Sequence, residues 1–283
     1  MFRAIKVGRV FGIEIRVHWT FLLLPLYVMY MNREHGRIPM LLAAGLTLSI
    51  FFCVLLHEYG HALTARAFGV QTRDIILTPI GGIARLERMP ESPIQEIIVA
   101  LAGPAVNVVI AFVILMSVLV SGLPLRLPTT PAIKTGSEFV FSLLAGNIML
   151  VVFNMVPAFP MDGGRVLRAL LAIGMGRLRA TEIATTVGLF VAGLFFLLGV
   201  FVSPMLAIIG IAIALLGQME RLVVRMQYEQ RRRRATAEQD IETVWETDDK
   251  VEPPEPNFTG FTWDPSIEAW VHWRDGKPER LFR

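Results

Sequence analysis

The chain has 283 residues, 54% hydrophobic and 18% charged, with a mean hydropathy of +0.55 and a formal net charge of +3. That balance excludes an ordinary soluble domain and indicates a polytopic membrane protein. The small net charge gives no reason to expect a nucleic-acid partner, and the lone cysteine, Cys53, excludes an intrachain disulfide framework. Residues 1–16 mix Arg3, Lys6, Arg9 and Arg16 with Ile5, Val7, Val10, Ile13 and Ile15, interrupted by Gly8 and Gly12. They predict one or two short strands at a membrane surface. A secretory signal is the competing reading. The following apolar stretch ends in Tyr30-Met31-Asn32-Arg33-Glu34, without a small-residue cleavage site, so it is expected to be retained.

Six apolar segments follow: Val17 to Met31, Ile38 to about Leu63, Ile94 to Val120, Glu138 to about Val156, Ile183 to Val202, and Pro204 to about Leu222. With a cytoplasmic N-terminus, the inside segments hold Arg3, Lys6, Arg9, Arg16, Arg66, Arg73, Arg85, Arg88, Arg165, Arg168, Arg177, Arg179, Arg221, Arg225 and Arg231 to Arg234. The outside loops hold only Arg33, Arg37, Arg126 and Lys134. This positive-inside bias predicts six spans in a cell (inner) membrane, with both termini cytoplasmic.

The second segment ends in His57-Glu58-Tyr59-Gly60-His61, an H-E-x-x-H pattern. Residues four apart share a helix face, so His57 and His61 can aim two imidazoles at one ion. Glu58 lies beside that face and can act as general base on a water molecule, whose pKa zinc would lower toward neutrality. Two core histidines and a buried acid are the bland alternative, but such groups are expensive in a span unless used. Cys53 continues the four-residue spacing, yet eight residues of helix rise about 12 Å, too far for one ion to touch both ends. Cys53 is read as a packing residue, and a third ligand must come from elsewhere.

Gln71 to Arg88 is too short for a span and is broken by Pro79 and Gly81-Gly82. A hairpin-like loop dipping in from the cytoplasmic face and lining a wet cavity fits it; an ordinary interfacial loop is the alternative. In the third span, Ala102-Gly103-Pro104-Ala105-Val106-Asn107 reads as close helix packing, with Asn107 a polar group needing a partner and a supporting role of the stretch beside the metal as the sharper reading. The fourth span ends in Asn154-Met155-Val156-Pro157-Ala158-Phe159-Pro160-Met161-Asp162-Gly163-Gly164-Arg165. The prolines stop the helix, and Asp162 is expected on a flexible turn made by Gly163 and Gly164. Alone, Asp-Gly-Gly is a common turn. Its return to the depth of His57 and His61 makes Asp162 a candidate third ligand, with the fourth position left for water.

These paired motifs, with the Gly81-Gly82 loop, Ala102 to Asn107 and the opening Gly12-Ile13-Glu14-Ile15-Arg16-Val17-His18-Trp19, resemble the site-2 protease family of intramembrane zinc metalloproteases. The resemblance covers about residues 1 to 225. It implies one Zn2+ held by His57, His61 and Asp162, Glu58 as catalytic base, and Asn154 holding the substrate or the developing oxyanion. It also implies release of a membrane-tethered regulator. No PDZ-like segment interrupts the spans and no paired CBS repeats are evident after them, which suggests a compact branch.

After the last span, Gln227 to Arg234 is basic and is expected to extend the helix to the lipid surface. Glu238 to Pro256 is acidic, with Pro253-Pro254, and reads as a linker. Ala269-Trp270-Val271-His272-Trp273 alternates and Asp275-Gly276 is a turn signal, predicting a small cytoplasmic β-hairpin. It is either a structural cap or a substrate-recognition or gating element.

The expected organisation is therefore surface strands over 1–16, an all-α core of six transmembrane helices over 17–225, a linker over 226–257 and an aromatic hairpin over 258–283. The expected function is hydrolysis of a peptide bond in or near the transmembrane segment of a single-pass membrane protein. Other expected partners are the lipid bilayer and a second copy of the chain or a regulatory membrane protein. A peptidase acting on lipidated or surface chains would commonly use a Glu as third ligand, against Asp162. A metal transporter or a catalytically silent scaffold is the non-enzymatic alternative; spans polar in one layer only disfavour the first, and an intact Glu58 the second.

Overall fold

The computed structural model describes residues 4–79, 81–87, 92–124, 126–128, 132–247, 255–265 and 269–282. Arg88 and Pro253-Pro254 lie outside these described residues. Contacts divide the chain into two compact units, Met1–Glu220 and Arg221–Arg283.

The first unit opens with strands β1 (Ala4–Val10) and β2 (Ile13–His18), which turn at Phe11 and Gly12, both with positive φ. A 3-10 turn (Trp19–Leu22) leads into the short helix α1 (Leu23–Asn32). The long helix α2 (Arg37–Ala67) then feeds the hairpin β3 (Thr72–Thr78) and β4 (Gly81–Leu86). Helices α3 (Pro93–Ser121), α4 (Gly136–Asn154), α5 (Asp162–Met175), α6 (Arg177–Val202) and α7 (Pro204–Thr247) complete the helical part. Helix α3 starts with Pro93 in its first turn and ends at Gly122 in the left-handed conformation. Helix α4 starts on a capping box between Thr135 and Glu138.

Among the described residues, five helices are long and apolar enough to cross a membrane: Arg37–Ala67, Pro93–Ser121, Gly136–Asn154, Arg177–Val202 and Pro204–Arg233. The expected first span is not among them. Val17 and His18 are taken into β2, where Val17 pairs with Leu77, and α1 has only 10 residues. At ~1.5 Å per residue that reaches ~15 Å, half of a bilayer core. Large apolar side chains face outward on these helices, including Phe112, Phe190, Leu194, Phe201 and Leu215. Polar ones face inward: His57, His61, Asn107, Asn147, Asp162, Arg168, Thr181 and Thr185 are all buried. This inside-out distribution is the one a bilayer solvent selects.

The four strands form one sheet in the order β1-β2-β3-β4, with β2 and β3 parallel and the other pairs antiparallel. Parallel pairing needs a long crossover, and α1 and α2 supply it. Ile13 and Ile75 form a core with Tyr59 and Ala62 of α2, so the sheet lies on the helix that carries the H-E-x-x-H. Along the sheet, Lys6, Glu14, Arg16, Asp74 and Arg85 form a ladder of ion pairs. The expected dipping loop is therefore the outer hairpin of a four-stranded sheet, with β4 at the edge.

The stretch expected to be a flexible turn is helical. Asp162, Gly163 and Gly164 form the first turn of α5, which the sequence reading missed. A Cβ on Gly163 would lie 2.5 Å from Val156 O, and one on Gly164 would lie 2.7 Å from Ala158 C. The glycines thus allow the 155–159 backbone to press against the helix start, which makes the turn rigid.

In the second unit, α7 continues as helix to Thr247, through much of the stretch expected to be linker. Strands β5 (Gly260–Asp264), β6 (Ala269–Arg274) and β7 (Lys277–Phe282) form an antiparallel sheet in that order. The expected hairpin is β6–β7, turning at Asp275 (φ 51) and Gly276 (φ 74), and β5 adds a third strand. Val271 and Trp273 are buried on one face, with Trp273 Nε1 donating to Thr262 Oγ1 at 2.6 Å. Phe261, Trp263 and Trp270 are exposed on the other.

Candidate metal centre

The site begins with a helix repeat. His57 and His61 lie one turn apart on α2, and both are buried. Asp162 enters from the start of α5, more than a hundred residues downstream. Its Oδ2 lies 3.2 Å from His57 Nε2 and 3.1 Å from His61 Nε2, and the two imidazole nitrogens are 3.0 Å apart. Ligand atoms held about 2.0–2.1 Å from one tetrahedral ion sit about 3.3 Å from each other. The three donors therefore nearly occupy three corners of such a tetrahedron. Among the described residues, this is the group of His, Cys, Asp and Glu side chains that can hold a metal ion.

The surroundings orient the donors. His61 Nδ1 lies 2.7 Å from the carbonyl oxygen of Val99 on α3. A carbonyl only accepts, so Nδ1 carries the proton and Nε2 presents its lone pair to the centre. His57 Nδ1 is 2.6 Å from Oδ1 of Asn107, also on α3. Arg165 approaches the other carboxylate oxygen of Asp162, with Nη1 3.9 Å from Oδ1.

Space is set by Gly103 of α3. A Cβ there would lie 2.7 Å from His57 Nε2 and closer still to His61 Nε2. Pro104 stands inside the helix next to it and is buried. The close packing read from Ala102 to Asn107 is present where Gly103 meets α2, and Asn107 has a partner in His57 Nδ1.

Glu58 is half-buried, and its Oε2 accepts the backbone N–H of Ala84 in β4 at 3.1 Å. A Cβ on Gly82 would come within 2.6 Å of Glu58 Cγ. The hairpin consequently lies on the carboxylate that follows the first histidine. Asn154 is half-buried and donates its amide to Leu150 O of its own helix at 2.9 Å, outside the three-residue cluster. Cys53 is buried beside Asn147, with Asn147 Nδ2 3.5 Å from its sulfur, in keeping with a packing role.

Sequence reasoning missed Asn147 and Arg168 as parts of this neighbourhood. Arg168 of α5 is fully buried and bonds Glu96 of α3 and Glu220 of α7. One arginine and two glutamates spread over some 120 residues give no local signal. The signal for Gly103 and Asn107 was present, as a polar residue and a small one within an apolar span.

Residues 45–198 match the family described as Peptidase family M50. The chain belongs to peptidase family M50. Zinc metalloprotease MJ0392 of Methanocaldococcus jannaschii is 30% identical over 274 residues, covering 95% of this chain and 71% of that protein. The Synechocystis relative sll0528 is 34% identical over 176 residues, 59% of this chain, and the chain spans only 44% of its length. A solved structure, the site-2 protease from Methanocaldococcus jannaschii, is similar with a TM-score of 0.56 and 31% identity, over 77% of this chain and 95% of that one. This M50 peptidase is a multi-pass membrane zinc metalloendopeptidase, and the donor set of His57, His61 and Asp162 fits the ion.

Proposed function

We propose that this peptidase hydrolyses a peptide bond in or beside the transmembrane segment of a single-pass, membrane-tethered substrate, as the cutting step of regulated intramembrane proteolysis. The observation that carries the reading is the convergence of His57, His61 and Asp162 among helices whose outer faces are apolar. A hydrolytic centre so placed acts on chains that share the bilayer.

In this reading His57, His61 and Asp162 hold one zinc ion. When bound, zinc supplies Lewis-acid polarisation of the scissile carbonyl and acidifies water. Glu58 takes the proton of the attacking water and delivers it to the leaving amine. Asn154 stabilises the oxyanion. Gly103, lacking a side chain, leaves the room that the two imidazoles occupy beside α3. The substrate helix must unwind to expose a peptide bond, and the unwound segment adds as a strand to β4, the edge strand of the sheet among the described residues, beside Glu58. The Arg and Lys of the segments around Arg66, Arg73, Arg85, Arg165 and Arg168 support a centre near the cytoplasmic face.

The test compares the ends of membrane-protein fragments in cells carrying the wild type or Glu58→Gln. New termini within or beside transmembrane segments, present only with the wild type, are expected. Equal cleavage by Glu58→Gln with zinc bound would refute the assigned base. Identical profiles from the two strains, with the wild-type protein folded and zinc-loaded, would refute the proposed reaction.

A further inference from the structure

We infer that Asn147 is a positioning residue for the metal centre: acting through Asn107, it decides which nitrogen of His57 carries a lone pair. The inference rests on the reading of His57, His61 and Asp162 as zinc ligands, and extends it to a residue of α4 that touches none of the three in the hydrogen-bond network.

The argument starts from a group with only one possible role. The backbone carbonyl of Leu143 accepts and cannot donate. Asn147 Nδ2 lies 2.9 Å from it, so the amide nitrogen of Asn147 must face that carbonyl. Its Oδ1 then faces Asn107 Nδ2 at 2.9 Å and accepts from it. That leaves Asn107 Oδ1 turned to His57 Nδ1 at 2.6 Å, again as acceptor. His57 Nδ1 must therefore carry the proton. Its Nε2 presents a lone pair to the point where His61 Nε2 and Asp162 Oδ2 also converge.

The orientation is single-valued because both asparagines are fully buried. Rotating the two amides by half a turn would set oxygen against the Leu143 carbonyl and NH2 against His57. Neither conflict could be relieved by water among apolar helices. With the observed polarity, three acceptors meet without a proton between them, an arrangement favourable around a cation. With the reverse polarity, His57 would turn an N–H toward the ion. The polarity of one helical carbonyl is thus passed across three helices, from α4 through α3 to α2. Outer-shell partners of this kind orient the metal ligand and raise its basicity.

The test uses the full chain purified in detergent. Zinc affinity is read by competition with a chromophoric chelator, and site geometry by the d–d bands of the Co2+-substituted protein. Asn147→Ala is expected to weaken zinc binding ~10- to 100-fold. Asn147→Asp is expected to stay within about threefold of the wild type, since as the neutral acid that full burial favours it donates its O–H to the Leu143 carbonyl and still offers its other oxygen to the Asn107 amide. Asn107→Ala should lose as much as Asn147→Ala, and the double variant should lose no more than Asn107→Ala alone. A merely structural role would make the losses additive and would spare neither variant at position 147. Wild-type affinity in Asn147→Ala would overturn the inference. So would a tenfold or greater loss in Asn147→Asp, a comparison that decides the matter even where Asn147→Ala does not fold. If zinc in the wild type survives His57→Ala, the ligand reading falls and the inference with it. If zinc depends on His57 and not on Asn147, only the inference falls.

Discussion

Glu58 of α2 and Ala84 of β4 are joined by a hydrogen bond of 3.1 Å from the Ala84 amide to Oε2. The carboxylate next to the metal cluster is therefore held by the backbone of an edge strand, and the strand's distance from α2 is set by Gly82, where a Cβ would lie 2.6 Å from Glu58 Cγ and 3.2 Å from Val54 Cγ1.

Gly82→Ala should accordingly push Glu58 aside without touching the metal ligands. A displacement of about 1 Å at a catalytic group costs about 10²-fold in rate. We expect kcat to fall by that order with one zinc retained. Metal analysis and turnover of a transmembrane peptide, measured on the same preparation, check it. Loss of zinc together with activity would mean that the hairpin supports the cluster as a whole.

Gly103→Ala should do the opposite. Alanine favours helix over glycine by roughly 0.5–1 kcal/mol, so α3 itself is not weakened. The added methyl would instead occupy the space beside His57 Nε2 and His61 Nε2. Zinc stoichiometry is expected to drop toward zero while helix content by circular dichroism stays at the wild-type level.

Chelation should both stop hydrolysis and destabilise the protein. A ligand that binds the folded state at 100 times its Kd stabilises it by about 2.7 kcal/mol. Stripping zinc is expected to lower the thermal midpoint, and zinc to restore it. In His57→Ala the midpoint should no longer respond to zinc.

Arg168 offers a stability test distant from the ligands. Its guanidinium is fully buried, donates to Glu96 Oε1 at 2.8 Å and to Glu220 Oε1 at 2.6 Å, and lies 5.0 Å over the ring of Phe159. Removing one partner of a buried ion pair typically costs about 3–5 kcal/mol, because the other charge stays buried. Arg168→Met should lose stability on that scale in denaturant titration. Adding Glu96→Gln to it should recover part of the loss.

The sheet carries a pH dependence of its own. Hydrogen bonds from Lys6 and then Arg16 hold the Glu14 carboxyl down at about 2 from its ordinary 4.5. A carboxyl depressed in the folded state stabilises above its unfolded value and loses that contribution as pH falls through the folded one. Protease resistance of β1 and β2 should therefore decline between about pH 4.5 and about pH 2. Glu14→Gln should flatten that decline.

Much of this peptidase was legible along the chain. The apolar runs, the four-residue histidine spacing and the prolines that end α4 are local patterns, each with a local physical cause. They determined the membrane class, two candidate metal donors and the end of the fourth helix. The Asp-Gly turn of the last sheet was equally local. What the tertiary structure decided depends on where distant segments meet. Val17 and His18 read as the start of a span, yet antiparallel partners in β1 and, for Val17, a parallel one far downstream take them into a strand. Gly163 and Gly164 read as flexibility, yet the 155–159 backbone packed on them makes a helix start that aims Asp162. Asn147 reads as one polar residue in a span. Its role comes from Asn107 and His57 on two other helices, because hydrogen-bond polarity is a property of the network and not of the residue.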